Sequence, residues 1–293
     1  MVAPAAVVAS SDTAMSDVRG GVSDKAVSDR AVSDKASGNT ASDDHAPAMA
    51  PREPDGIAAP SSNEELVAPL PPTGAGRVFG DRLALAVRFT EILTDSGVSH
   101  GLIGPREVPR LWERHVLNCA VIHPAIAADE MVIDVGSGAG LPGLALAIAR
   151  PDLDLHLIEP MLRRTNWLSM VVEDLGLANV TVHRGRAEEF WGILRAPVVT
   201  ARAVARLSEL ATWCLPLLLP GGSLLAIKGL SVSEEVETDR AVLRRLGAID
   251  EVIESFGNGI VDQETTVLRV VMGDRPAPRG RQKKKKSKGK RRG

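Results

Sequence analysis

The sequence predicts an α/β fold: a seven-stranded, mostly parallel sheet covered on both faces, preceded by a small helical cap and closed by a C-terminal antiparallel hairpin. Apolar runs of strand length alternate with helical periodicities between residues 126 and 274, and alternation of this kind builds a parallel sheet. The first run stops in a cluster of glycines. The last two runs are separated by about nine residues holding Gly257 and Gly259, too few for a crossover helix, so they should pair antiparallel.

The cap is expected over 76–125. Residues 77–97 place Leu83, Val87 and Leu93 at helical spacing, and 111–122 place Trp112, Val116 and Ala120 likewise. In the sheet core, 126–274, strands are expected at 131–135, 155–158, 180–183, 197–201, 223–228, 249–255 and 265–272. After the first strand Pro142 sits at the first helical position, with Leu144 and Ile148 on the face that covers the sheet. The helix after Glu159 puts Leu168, Val171, Val172 and Leu175 on one face and should stop at Gly176.

The two ends differ from this core and from each other. Residues 1–75 are rich in Ala, Ser, Asp and Pro, and Val-Ser-Asp-Lys/Arg-Ala recurs at 22–26, 27–31 and 32–36. A five-residue period fits neither helix nor strand, and so few large apolar side chains cannot offset the entropy of ordering, so a disordered extension is expected. Residues 275–293 hold eleven of the 35 Lys and Arg and no acid, which leaves 24 basic against 37 acidic residues, a net −13, for 1–274. Such a disordered basic tail is either a solvated end or a phosphate-binding arm. No secretory signal or apolar run of membrane-spanning length is evident, and Cys119 and Cys214 show no pairing pattern, so a cytoplasmic protein without a membrane partner is expected; a monomer is the expected state.

The segment from Met131 to Gly143 bears the chemistry. Asp134, Gly136, Gly138 and Gly140 write an acidic-x-Gly-x-Gly-x-Gly turn at a strand end, where a backbone without Cβ atoms can approach a ligand. Glu159, 19 residues past Gly140, ends the next strand, and a carboxylate there can accept hydrogen bonds from both ribose hydroxyls of an adenosine. Gly138-x-Gly140-x-x-Gly143 also matches the dinucleotide fingerprint, though it starts too late after the strand. The acidic-Gly pattern is similar to the first motif of class I S-adenosylmethionine-dependent methyltransferases, so a methyl donor and a dinucleotide both stay open here. His115, Cys119 and His123 recur every fourth residue, but the outer two lie two turns apart and cannot share one ion, so no metal site is expected.

Six ordered patterns narrow the choice: Trp112-x-Arg114-His115-x-x-Asn118, the run from Ile133 to Gly143, Arg163-Arg164, Arg186-Ala187-Glu188-Glu189-Phe190, Thr200-Ala201-Arg202-Ala203 and Ala226-Ile227-Lys228-Gly229. Together they resemble the bacterial small-subunit ribosomal RNA guanine-N7 methyltransferases, the family once called glucose-inhibited division protein B. The resemblance covers about 77–272 and neither tail. It implies a Rossmann-like class I methyltransferase fold, S-adenosylmethionine as donor, and 16S rRNA in the small ribosomal subunit as partner; with RNA as partner, the basic charge of 275–293 makes that tail an expected auxiliary RNA contact. It also implies that Gly136 and Leu141 contact the donor, that Ala187 and Glu188 flank its adenine, and that Arg202 lies at the mouth shared by donor and substrate. Gly138, Gly140 and Glu159 join this set from the motif itself. Glu159 stands where the family often has Asp, and Asn118-Cys119 where it usually has Asp-Ser.

Arg114, His115, Arg202 and Lys228 are candidates for positioning RNA phosphate or the target base; the plain alternatives are surface charge and, for His115, a hydrogen-bonded residue between cap and sheet. Guanine N7 has a lone pair and no proton, so its methylation needs no general base, and the sequence offers no catalytic dyad. Two other functions stay in view: an NAD(P)-dependent oxidoreductase, and a non-catalytic RNA-binding module acting through its tail.

Overall fold

The computed structural model describes residues 66–202 and 205–274; the expectations for 1–65 and 275–293 fall outside the described residues. Seven strands form one sheet: β1 Met131–Val135, β2 Asp154–Glu159, β3 Val180–Arg184, β4 Ala196–Arg202, β5 Leu218–Ile227, β6 Ala248–Phe256 and β7 Thr265–Met272. Their order is β3-β2-β1-β4-β5-β7-β6. β1 to β5 pair parallel, whereas β7 runs antiparallel to β5 and β6 antiparallel to β7, which is the expected hairpin.

Alternating side chains point to opposite faces of a strand, and here both faces are covered. Val132, Leu155, Leu157 and Leu225 pack with the cap, α4 (Gly143–Ala149) and α5 (Leu162–Asp174). Ile133, Val135, Ile158 and Leu224 pack on the other side with α6 (Leu207–Cys214) and α7 (Val232–Leu246). Double burial is why these parallel strands read as continuous apolar runs. Glycine follows α5 and α7, at Gly176 and Gly247.

The cap departs from regular helix. α1 (Thr73–Phe79) starts ahead of the expected boundary at 76, and Ala75 within it is fully buried. A 3-10 turn at Gly80–Arg82 leads to α2 (Leu83–Ile92), which continues as a π-turn over Leu93–Gly97. Its buried stripe is Ala86, Phe89 and Leu93, with Leu83 and Val87 packed at the margin, so the expected face is rotated. Leu111–Val116 is likewise a π-turn, running into the short α3 (Leu117–Ala120), yet Trp112, Val116 and Ala120 are buried as expected. Pro142 directly precedes α4 rather than opening it.

Directed polar contacts hold the cap in place. Trp167 Nε1 in α5 donates to Ser96 Oγ at 2.9 Å, and Asn118 Nδ2 donates to Thr265 Oγ1 at 2.7 Å, which donates in turn to the Asn118 carbonyl at 2.9 Å. Asn118 therefore ties the cap to β7, a role that an amide fills with both its donor and its backbone acceptor.

Candidate functional site

Strand order reverses direction between β1 and β4, and ligands of open α/β sheets bind at the C-terminal strand ends beside such a point. A cleft of about 370 Å³ lies there, walled by Gly136, Gly138 and Leu141 of the glycine loop, by Leu102, Ile103 and His115 of the cap, and by Arg164 and Arg202. Five of the residues expected from sequence thus meet in one place: Gly136, Gly138, Leu141, His115 and Arg202.

The loop is built to leave room. Gly136 and Ser137 both donate backbone N–H groups to the Ile158 carbonyl, at 2.9 and 3.3 Å, which pins the loop to β2. Gly138 has φ +54°, and a Cβ added to it would meet nothing nearer than the Gly136 carbonyl at 3.7 Å. That space is open to a ligand. Gly140 serves the fold instead, because a Cβ there would overlap Leu144, and it does not line the cleft.

Asp134, the acid of the motif, is fully buried beneath the loop. Its Oδ2 accepts the Gly143 N–H at 3.1 Å and its Oδ1 accepts the Thr200 hydroxyl at 3.2 Å. Burial raises its pKa to about 6, against the lowering effect of these donors. The carboxylate fixes the start of α4 and the loop, and it does not line the cleft.

Glu159, only 2% exposed, ends β2 below the loop. Its Oε2 accepts the Gly138 N–H at 3.1 Å and its Oε1 accepts the Met161 N–H at 2.9 Å. A carboxylate has about four acceptor sites, and these two backbone donors take about half of them. Arg164 Nη1 lies 3.8 Å from Glu159 Oε2, and its buried Nε has no partner among the described residues.

Arg202 is the more constrained of the two arginines that line the cleft. Its Nη2 meets His115 Nδ1 at 2.6 Å and its Nη1 donates to Cys119 Sγ at 2.9 Å. A guanidinium only donates, so His115 accepts at Nδ1 and, in its neutral form, donates from Nε2 to Glu107 Oε2 at 2.9 Å. Burial first, then the Arg202 charge, lowers the His115 pKa, with Arg114 adding to this and Glu107 opposing it. A neutral His in the folded state and an ordinary one in the unfolded state means that the unfolded chain binds more protons near pH 6. The stability from this relay should be complete above the ordinary His value of 6.5 and decline as pH falls below it. Thermal unfolding of wild type and His115→Gln across pH 5–8 checks this: the gap should narrow on acidification, and a constant gap would count against the neutral relay.

The remaining expected residues lie around this cleft. Ala187 is buried and Glu188 exposed on a 3-10 turn after β3, beside a hollow of about 500 Å³ lined by Pro160, Met161 and Arg184 to Arg186. Arg114 and Lys228 line a third hollow. Arg114 is 58% exposed with a loose pairing to Glu107 at 3.5 Å. Lys228 Nζ donates to the Ala205 carbonyl, just ahead of α6, at 3.1 Å and to Glu235 Oε2 of α7 at 2.9 Å, so two of its three donors are taken. Sequence reasoning missed Glu107, Arg164, Leu102 and Ile103 as site residues. Arg164 had a signal, its place just after Glu159; the cap loop had none.

Among the described residues no cluster of three or more His, Cys, Asp or Glu could hold a metal ion, and no helix is long and apolar enough to cross a membrane. Residues 82–266 match the family described as rRNA small subunit methyltransferase G. Similar proteins carry the name ribosomal RNA small subunit methyltransferase G. One from Streptomyces avermitilis is 56% identical over 209 residues, 71% of this chain and 88% of that protein. One from Paenarthrobacter aurescens is 57% identical over 198 residues, 68% and 92% respectively. A third, from Thermobifida fusca, is 55% identical over 204 residues, 69% and 86%.

Proposed function

Since the chain belongs to the rRNA small subunit methyltransferase G family, we propose that it transfers a methyl group from S-adenosylmethionine to guanine N7 of 16S rRNA in the small ribosomal subunit. The observation that supports this best is the open space above Gly138 beside the Glu159 carboxylate: a cradle that a Cβ would fill. When bound, the donor supplies a methyl group on a positively charged sulfur.

The chain's own residues then have holding to do and no proton to move. Gly136, Gly138 and Leu141 line the donor cleft, and Gly140 keeps the loop against Leu144. The free acceptor sites of Glu159 take the ribose, and Ala187 and Glu188 flank the adenine beyond Pro160 and Met161. Arg202, with donors left over after His115 and Cys119, orients the target nucleotide at the mouth, while His115 keeps the guanidinium in place. Arg114 and the remaining donor of Lys228 meet RNA phosphate. The N7 lone pair forms the new N–C bond as the S–C bond breaks, with no base required, so rate gain comes from alignment. The target guanine reaches the cleft unstacked.

The reaction belongs in the cytoplasm, where ribosomal RNA and the two buried free thiols are both at home, and a monomer suffices for it. The oxidoreductase reading would need a second parallel mononucleotide half, whereas β7 enters antiparallel to β5. Incubation with labelled S-adenosylmethionine and small subunits lacking the modification, followed by digestion to nucleosides, should place label in 7-methylguanosine at one site. Label in another nucleoside would change the acceptor atom; absence of transfer would sink the proposal.

A further inference from the structure

The hollow of about 440 Å³ next to the donor cleft is lined by residues from the cap, from the end of β5 and from the β6–β7 loop. It falls within the range of small-molecule pockets, about 300–1,000 Å³. The two sites share a wall: Arg114 of the hollow precedes His115 of the cleft, and Ile227 of the hollow is the register partner of Arg202 across β4 and β5. The floor of the hollow belongs to β5 and β7, whereas the glycine loop and Glu159 follow β1 and end β2.

Its lining carries two kinds of uncommitted polar group. The Arg110 guanidinium makes no hydrogen bond or ion pair with another described residue, its charge acting only at longer range on Glu107, and Arg114 makes only the loose pairing to Glu107. Of the three carboxylates in the lining, Glu113 accepts the Asp262 N–H at 3.4 Å and Glu264 accepts from Asn258 at 2.6 Å, whereas the Asp262 carboxylate and the Gln263 amide are without partners among the described residues. A site for a bare anion would exclude a free carboxylate. A nucleotide, by contrast, needs cations for its phosphates and an acceptor for the N–H groups on its base edge. Leu230 borders the same hollow at 85% exposed. With no aromatic ring in the lining, a leucine and arginine planes are the surfaces left for a base to lie on.

We propose that this hollow binds a second, unpaired nucleotide of the rRNA, flanking the one that is methylated, with Arg110 and Arg114 at its phosphates, Leu230 against its base and Asp262 and Gln263 at the base edge. The proposal rests on the rRNA reading above. It makes the enzyme a reader of two splayed nucleotides, one at the donor and one beside it, which fixes register along the strand before the methyl group moves.

The test uses the full chain, unmodified small subunits and a panel of rRNAs substituted at each position flanking the methylated base. Arg110→Ala and Leu230→Ser should each raise the RNA KM about tenfold, equivalent to roughly 1.4 kcal/mol, with kcat at saturating RNA and donor Kd unchanged. Asp262→Asn should erase the wild-type preference at one flanking position and leave the others intact. If wild type methylates rRNA while all three variants keep its KM and its preferences, the hollow is not a nucleotide site. If wild type transfers no methyl to rRNA, the parent reading falls and this one with it.

Discussion

Replacing Gly138 by asparagine should lower S-adenosylmethionine affinity by about a hundredfold or more, roughly 2.7 kcal/mol, with the fold intact. Gly138 sits at φ +54°, and asparagine is among the few residues that visit that left-handed region routinely. Since its Cβ meets only the Gly136 carbonyl at 3.7 Å, the first side-chain atom finds no protein atom to displace. What it fills is the space assigned to the donor. Gly140→Ala, two residues on, should fail in the opposite way. Its Cβ overlaps Leu144, so unfolding stability should drop by about 1–3 kcal/mol through overpacking, and donor binding should suffer only as far as the loop shifts. Calorimetry with the donor and thermal unfolding on both variants separate the cases. Retained donor affinity in a folded Gly138→Asn protein would mean that the donor is not held at this loop.

That contrast also marks how far the sequence could be read. The apolar runs, the turn at Gly136 and the short link holding Gly257 and Gly259 set the sheet and its hairpin, because burial on both faces and glycine at positive φ leave a local trace. The division of labour inside the glycine motif leaves none. Whether Asp134 faces a ligand or the Gly143 N–H depends on which side of β1 the helix returns, a tertiary outcome. Arg202 and His115 are 87 residues apart, and only the packing of the cap on β4 shows that one anchors the other. The cap was legible as apolar spacing but not as helix type: a π-turn at Leu111–Val116 and the rotated stripe around Phe89 follow from fitting α3 and α4, which periodicity cannot report.

Deleting residues 275–293 should cost RNA affinity on the order of a hundredfold at low salt while leaving kcat at saturating RNA unchanged. The segment holds eleven of the chain's 35 basic residues, and without it the remaining residues have a net charge of −13, which repels a phosphate backbone. Every phosphate that the segment neutralises adds about −0.7 to the slope of log affinity against log salt for a single strand. The truncated chain should therefore bind with a visibly flatter salt dependence, and the two forms should converge in affinity as salt rises and screens the tail. Donor affinity should not move, because the cleft from Gly136 to Arg202 lies wholly outside the deleted segment. The pattern separates three roles for one basic run. A protein that works by its tail alone loses RNA binding altogether. A tail that enters the reaction lowers kcat even at saturation. A tail that delivers the substrate raises KM and reduces the salt slope together, which is the result expected here; an unchanged slope would leave the tail with no part in RNA binding.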